Sequence, residues 1–257
     1  MVDAQPAPIF IVGCQRSGTT LLRLILDSHP NVSCGPETRF LAGLSRITTD
    51  EWQRLSQYGF PKEYWHEKVA TLFDSFQSDY AHARGKTRWA DKTPMYALSL
   101  DYLDQLFPTC RIIHVIRDGR DVVASHRKRW GYVAAVKAVA KWPHYVTTAR
   151  AVGLKLPTDR YLEVRYEDVV NNTEATMRRV LAFVGEPWDP AVLEYNSHRH
   201  DVPAAYQSLA SDRRSDAGDD GAVYRSRVGA GQRELDPLLR FLVRLVSGPM
   251  LRQLGYR

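Results

Sequence analysis

The chain has 257 residues, 44% hydrophobic and 25% charged, the size and composition of one large globular domain with no room for a second of equal size. Lysine and arginine exceed the carboxylates by 35 − 29 = +6, so the favoured partner is anionic, a sign that nucleic acid, acidic lipid and a polyanionic cofactor all satisfy. No apolar run approaches the ~18 residues of a membrane span, and "MVDAQPAP" lacks a positive charge and precedes only a short apolar run, Ile9 to Val12, so a cytoplasmic protein is expected.

In chain order, "PIFIVG" (Pro8 to Gly13) is a β-branched and aromatic run ending in glycine, and "TTLLRLILDSHP" continues with helical character until Pro30 stops it. That helix is apolar nearly all round, with Arg23 its only charge before Asp27, so it is expected to lie against a sheet. A helix-rich aromatic stretch spans Phe40 to Arg84 and reads as an insertion. Short strands are predicted at Thr87 to Lys92 and Arg111 to Arg117, the second with the continuous apolar centre of a buried parallel strand. Asp118 caps a helix over "GRDVVASHRKRW", and a longer helix follows around Tyr132 to Val152. A fourth strand, Arg160 to Glu167, precedes a helix capped near Thr173 and closed at Gly185. Gln207 to Gln232, rich in Ser, Gly, Asp and Arg, reads as a mobile loop, and an amphipathic helix near the C-terminus breaks at Gly248-Pro249. The alternation predicts an α/β fold in one domain, residues 1–257: a mainly parallel sheet of the P-loop type, helices on both faces and helical insertions.

"GCQRSGTT" (Gly13 to Thr20) has the outline G-x-x-x-x-G-[KT]-[ST] of a loop that aims backbone N–H groups and a helix dipole at an anion. A triphosphate binder carries lysine where Thr19 stands, so the loop offers instead Arg16 and the hydroxyls of Ser17, Thr19 and Thr20. The strand "RIIHVIR" ends in Arg117, a cation where a triphosphatase carries a metal-supporting Asp, and the helix after it brings Ser125 and Arg129 near. Together they describe a nucleotide with two separated anionic groups and no obligatory metal.

"PIFIVGCQRSGTTLLRLILDSHPNVSCGPETRF" resembles the 5′-phosphosulfate loop region of sulfotransferases that use 3′-phosphoadenosine 5′-phosphosulfate (PAPS), and "RIIHVIRDGRDVVAS" resembles their 3′-phosphate motif. The likeness is closest to the tyrosylprotein sulfotransferase branch and its bacterial relatives, and continues through "ADKTP", "YLEVRYEDVV", "VGEPW" and "PMLRQLGY". The resemblance implies 5′-phosphosulfate contacts from Arg16, Ser17, Gly18, Thr19 and Thr20, and 3′-phosphate contacts from Arg117, Ser125 and Arg129. It implies further cofactor contacts from Tyr166 and from Arg233 after "VGA", with Arg227 and Arg225 looser candidates. Glu37 in "CGPETR" falls on the family's base, Lys92 in "DKTP" on the lysine that stabilises the leaving phosphate, and Arg16 assists. A further catalytic serine of the branch is left unassigned between Ser211, Ser215 and neither. PAPS, leaving adenosine 3′,5′-bisphosphate (PAP), is the implied co-substrate; the acceptor is a hydroxyl of a small molecule or a peptide tyrosine, and a homodimer rests on analogy alone.

The residues also carry plainer readings. Glu37 could simply pair with Arg39 in a solvated loop, and Lys92 could be a surface lysine at a strand end. His29 closes a helix and His114 sits inside a strand, so both are structural candidates; His198 and His200 lack a third ligand at metal spacing. Cys14, Cys34 and Cys110 likewise form no metal or disulfide pattern. The secreted members of the branch bond the cysteine matching Cys34 to one at the position of Ala90, a loss that argues against a Golgi enzyme. "HRKRW" (His126 to Trp130) could touch RNA, and the Gly13 to Thr20 outline alone would allow a P-loop kinase. The nucleotide readings separate by thermal shift: PAP is expected to raise the melting temperature without Mg²⁺, whereas ATP with Mg²⁺ does little; the reverse order would favour the kinase.

Overall fold

Ile9–Gly13 is buried at every residue, and a strand with both faces apolar is stable only when covered on both sides. In the computed structural model, which describes residues 6–198, 200 and 225–256, this segment is β1, the centre of the sheet. The chain continues through α1 (Thr19–Asp27), β2 (Val32–Cys34), α2 (Leu41–Thr48), α3 (Trp52–Leu55), α4 (Lys62–Ala83), β3 (Arg88–Lys92) and α5 (Leu100–Leu106). Next come β4 (Arg111–Ile116), α6 (Gly119–Trp130), α7 (Tyr132–Gly153), β5 (Tyr161–Arg165), α8 (Tyr166–Asn171) and α9 (Thr173–Val184). After the undescribed stretch lie α10 (Ala230–Glu234), α11 (Pro237–Val246) and α12 (Gly248–Gln253).

All four strand pairings are parallel, in the order β2-β3-β1-β4-β5. Alternation along β1 separates two cores. Phe10 and Val12 face one containing Trp89, Phe107 and Trp142 with α5, α7 and α11, while Ile9 and Ile11 face another built on Leu22, Ile25, Met177 and Leu181 of α1 and α9. The expected α/β architecture with helices on both faces is what forms.

The structure departs from the sequence expectations in three places. β2 was not foreseen: it is three residues long and finds its partners on β3, Val32 opposite Arg88 and Cys34 opposite Ala90, which no local periodicity reveals. The fourth strand stops at Arg165, because Tyr166 turns the chain into α8. The loop drawn from Gln207 to Gln232 is corrected at its end, where Arg225–Arg227 makes a 3₁₀ turn and Ala230 opens α10; its remainder, with Ser211 and Ser215, lies outside the described residues.

Trp142 links a core to the end of β4. Its indole is fully buried, donates from Nε1 to the Arg117 carbonyl at 3.0 Å, and lies so close to Gly119 that a Cβ there would sit 2.6 Å from the ring. Trp142→Ala is expected to cost ~3–5 kcal/mol in urea unfolding, and a loss under ~1 kcal/mol would mean that the cavity collapses freely.

Candidate active site

Strand order fixes where a ligand can sit. From β1 the chain crosses to β2 on one side, and from β4 to β5 on the other, so a crevice opens beyond the carboxyl ends of β1 and β4, the usual seat for a ligand on an open parallel sheet. β1 ends in Gly13 and β4 runs into Arg117.

The loop between β1 and α1 is shaped by three residues with positive φ. Gly13 (φ 153°) passes so close to β4 that a Cβ would lie 2.5 Å from the Val115 carbonyl, Arg16 holds φ 74°, and Gly18 (φ 94°) is the N-cap of α1. The Gly18 carbonyl accepts from Leu21 and Leu22, whereas the N–H groups of Thr19 and Thr20, which precede them, are left without helical acceptors. A Cβ on Gly18 would strike the Tyr166 ring at 2.2 Å, which places that ring against the loop.

Arg16 donates from Nε to Ser125 Oγ at 2.9 Å and lies over the Trp130 ring at 5.8 Å. Arg117 stacks on Tyr166 at 4.4 Å from the centroid, donates to the Arg16 carbonyl at 3.2 Å and the Arg227 carbonyl at 2.6 Å, and reaches Asp121 at 3.5 Å. Among the described residues, two buried polar atoms at this cradle have no partner: Ser17 Oγ and Arg117 Nε. A buried donor left unmet is costly in a folded chain, so the pair fits a site completed by an anionic ligand.

On the other side of the loop, Lys92 at the end of β3 donates to Glu37 Oε1 at 2.5 Å and reaches Thr20 Oγ1 at 3.5 Å. Arg39, in a left-handed turn with φ 60°, holds Glu37 Oε2 at 2.6 Å. Burial alone would raise the Glu37 pKa, but the Lys92 ammonium and then Arg39 outweigh it and hold the carboxyl below its ordinary range; Lys92, buried more deeply, is itself pushed down by desolvation despite Glu37. The plain reading of Glu37 as a partner of Arg39 is therefore half of what is seen. Lys92, 4% exposed, is no surface lysine.

The chain thus brings together Arg16, Ser17, Gly18, Thr19, Thr20, Arg117, Ser125 and Tyr166, with Glu37 and Lys92 beside them. Arg129 lies one turn beyond Ser125 and is exposed. The Arg227 carbonyl enters the site through Arg117, whereas the Arg233 guanidinium turns back to the Ser226 carbonyl at 2.7 Å.

Three supporting groups escaped the sequence reading. Asp121 accepts from the N–H groups of Gly229 and Gly231 at 2.9 and 2.7 Å, tying the start of α10 to α6. Asp91 accepts from Thr38 at 2.8 Å, and Thr38 also bonds the Tyr96 hydroxyl at 2.8 Å, so the residue after Glu37 is fixed from beneath. Burial pushes the Asp91 carboxyl up to about 6. Period-two alternation beside Lys92 was the only signal for Asp91, and nothing local marks Asp121.

The two tempting histidines are structural. His29 shares a hydrogen bond with the Pro187 carbonyl at 2.9 Å, and buried His114 pairs with the Tyr161 hydroxyl at 2.6 Å, its pKa driven down to about 3 by burial and then by Arg150. Among the described residues no cluster of three metal-ligating side chains occurs.

The sulfotransferase family profile matches residues 8–190. Protein-tyrosine sulfotransferase A of Caenorhabditis elegans is 32% identical over 96% of this chain and 67% of its own length; the Drosophila melanogaster protein-tyrosine sulfotransferase is 30% identical over 80% of this chain, which spans 44% of that enzyme. The sulfotransferase domain of the Synechococcus PCC 7002 olefin synthase superposes with a TM-score of 0.66 at 22% identity, covering 97% of this chain and 96% of its own. A mouse sulfotransferase crystallised with PAP superposes at 0.52 with 15% identity, over 97% and 86% of the two chains.

These relatives overturn the expected cytoplasmic placement, since they belong to the protein-tyrosine branch whose Golgi address the cysteine argument had set aside. The flaw in that argument is physical: Cys34 is a free buried thiol facing Ala90 across β2 and β3, which reports one absent disulfide and says nothing of the compartment. No described helix is long and apolar enough to cross a membrane, and that fact carries no compartment either. A family match over most of the chain, and a relative aligned along nearly all of it, place this chain in the sulfotransferase family.

Proposed function

We propose that residues 1–257 form a single domain that transfers a sulfuryl group from PAPS to a hydroxyl acceptor, and that the acceptor is a phenol, as in a peptide tyrosine or a small aromatic molecule. The observation that carries this reading is the placement of two cations on opposite sides of one loop: Lys92 beside Thr20 and Arg117 beneath Arg16. A donor with one anionic end in the loop and a second near β4 matches that spacing, and a triphosphate, lacking a lysine at Thr19, does not.

PAPS supplies a sulfuryl group on a phosphate leaving group; the chain supplies charge, position and a base. The α1 N-terminus, Ser17, Thr19, Thr20 and Arg16 hold the phosphosulfate end, and Arg117, Ser125 and Arg129 hold the ribose phosphate with Tyr166 packed beneath Arg117. Arg227 and Arg233 stand in the segment tied down by Asp121, and Arg233 has to leave the Ser226 carbonyl to reach the cofactor.

Glu37 is ionised at neutral pH, since its pKa lies below the usual glutamate range, so it is ready to take the acceptor proton as the acceptor oxygen attacks sulfur. A carboxylate held by two cations is a weak base. Lys92 lies between Glu37 and Thr20, so as it turns to the phosphate oxygen released when the sulfur–oxygen bond breaks, Glu37 loses its strongest partner and gains basicity. A phenol, with a pKa of ~10, is within reach of such a base more readily than an aliphatic alcohol.

Glu37→Ala is expected to lower turnover by ~10²–10⁴ while PAP affinity persists; unchanged turnover, measured by mass spectrometry of acceptors labelled from heavy-isotope PAPS, removes Glu37 from the chemistry. Arg117→Ala deletes a charged donor and is expected to weaken PAP by ~10- to 100-fold in calorimetry, about 1.5–3 kcal/mol. Equal affinity would contradict its phosphate role.

A further inference from the structure

The helices α7 and α11 present a surface that sulfuryl transfer does not use. They lie side by side: the Tyr132 hydroxyl meets Asp236 at 3.5 Å at one end, and Ser247 donates to the Val139 carbonyl at 2.7 Å at the other. α11 buries Leu239 and Val243 in the core but leaves Leu238, Phe241 and Leu245 exposed at 57, 60 and 64%. Their i, i+3, i+7 spacing makes one apolar stripe, and Val133 and Val136 of α7 are exposed as well. Single exposed apolar side chains are ordinary; a stripe of large ones on one helix marks a contact surface.

The two helices are basic along their length, with Asp236 at the start of α11 paired to Arg127 at 3.0 Å and Arg150 of α7 paired to Glu163 at 2.9 Å. Residues 122–158, which include all of α7, carry seven lysines and arginines and no carboxylate, and residues 237–257 carry four arginines and no carboxylate. Arg240 and Arg244 flank the stripe, and with Arg120 and Arg252 they line a cavity of about 340 Å³ whose apolar floor includes Val243 and Leu251. Arg120 is spent on Asp118, which it meets at 2.6 Å.

From these observations we propose that the α7–α11 face docks on an anionic lipid surface: the stripe enters the headgroup region, and the arginines beside it meet lipid phosphates and carboxylates. The pattern is that of an interfacial amphipathic helix, in which a modest apolar face and a basic flank act together. A second copy of the chain fits less well, because a two-fold contact sets a patch against itself and would oppose Arg240 and Arg244 to their own copies, while Asp236, beside the stripe, is already paired with Arg127. Nucleic acid would use the charge but little of the stripe, two of whose three large side chains are leucines. The proposal stands on this surface alone and does not depend on the transfer reading.

The test is co-sedimentation of the full chain with vesicles of phosphatidylcholine containing about one-third phosphatidylserine, against phosphatidylcholine alone. Binding to the mixed vesicles is expected to exceed binding to the neutral ones by ~10-fold or more and to fall as salt rises. The double variant Phe241→Ser with Leu245→Ser alters only exposed side chains, so it should keep the parent melting temperature while losing ~10-fold in vesicle binding. Arg244→Glu should lose a similar factor by charge alone. Failure to bind the mixed vesicles, or equal binding by parent and variants, overturns the proposal. So does a concentration-dependent dimer in light scattering that the double variant abolishes, which assigns the face to a second copy, or an RNA affinity that the variants remove.

Discussion

The parallel pairing of β1 with β3 on one side and β4 on the other is the constraint on which the rest depends. Ile11 pairs with Lys92 and Gly13 with Val115, so the strands end almost level, and whatever follows each stands at the same edge. Lys92 is the last residue of its strand and Arg117 the first after its own, and the β1–α1 loop lies between them. A slip of one residue in either pairing would turn the side chain at the strand end to the opposite face of the sheet. The site is thus a property of sheet register before it is a property of the loop.

The same geometry explains how so much positive charge is tolerated before any anion binds. Lys92 rests on Glu37 at 2.5 Å and Arg117 approaches Asp121 at 3.5 Å, so each main cation has a carboxylate of its own. Neither carboxylate is spare. Glu37 is the proposed base, and Asp121 also accepts from Gly229 and Gly231, so a change in either ion pair is felt in the Glu37 loop or in the returning segment that packs on α6. Buried pairs of this kind contribute little net stability, because desolvation consumes most of the Coulomb gain. What they contribute is position.

The central strands were legible because their runs are short, apolar and bounded by glycine, proline or charge, and the anion loop because its glycines and hydroxyls follow a pattern with a direct physical meaning. Arg16, Arg117, Glu37 and Lys92 were found through linear motifs, and each lies within three residues of a strand end. β2 was not legible, since a three-residue edge strand exists only by virtue of its neighbour. Nor was Asp121 as a clamp: its partners lie 108 and 110 residues further along the chain, and Asp91 and Tyr96 act on Glu37 only through Thr38. Such support is set by tertiary packing, which no window of sequence contains.

The family match ends at residue 190, yet the cradle does not. Arg117 donates to the Arg227 carbonyl, Asp121 holds two glycine N–H groups of the returning chain, and Gly231 packs so tightly on α6 that a Cβ there would sit 2.3 Å from the Arg120 carbonyl carbon. Only glycine permits that approach, and a larger residue would lift α10 away from α6. The returning segment leads directly into α11, so the segment bonded to Asp121 and the basic apolar face are consecutive parts of one chain, joined at Asp236 to Arg127 of α6 at 3.0 Å. Any force on α11 therefore has a short path to the guanidinium of Arg117, covalent as far as α10 and then through the hydrogen bonds to Asp121 and its 3.5 Å ion pair.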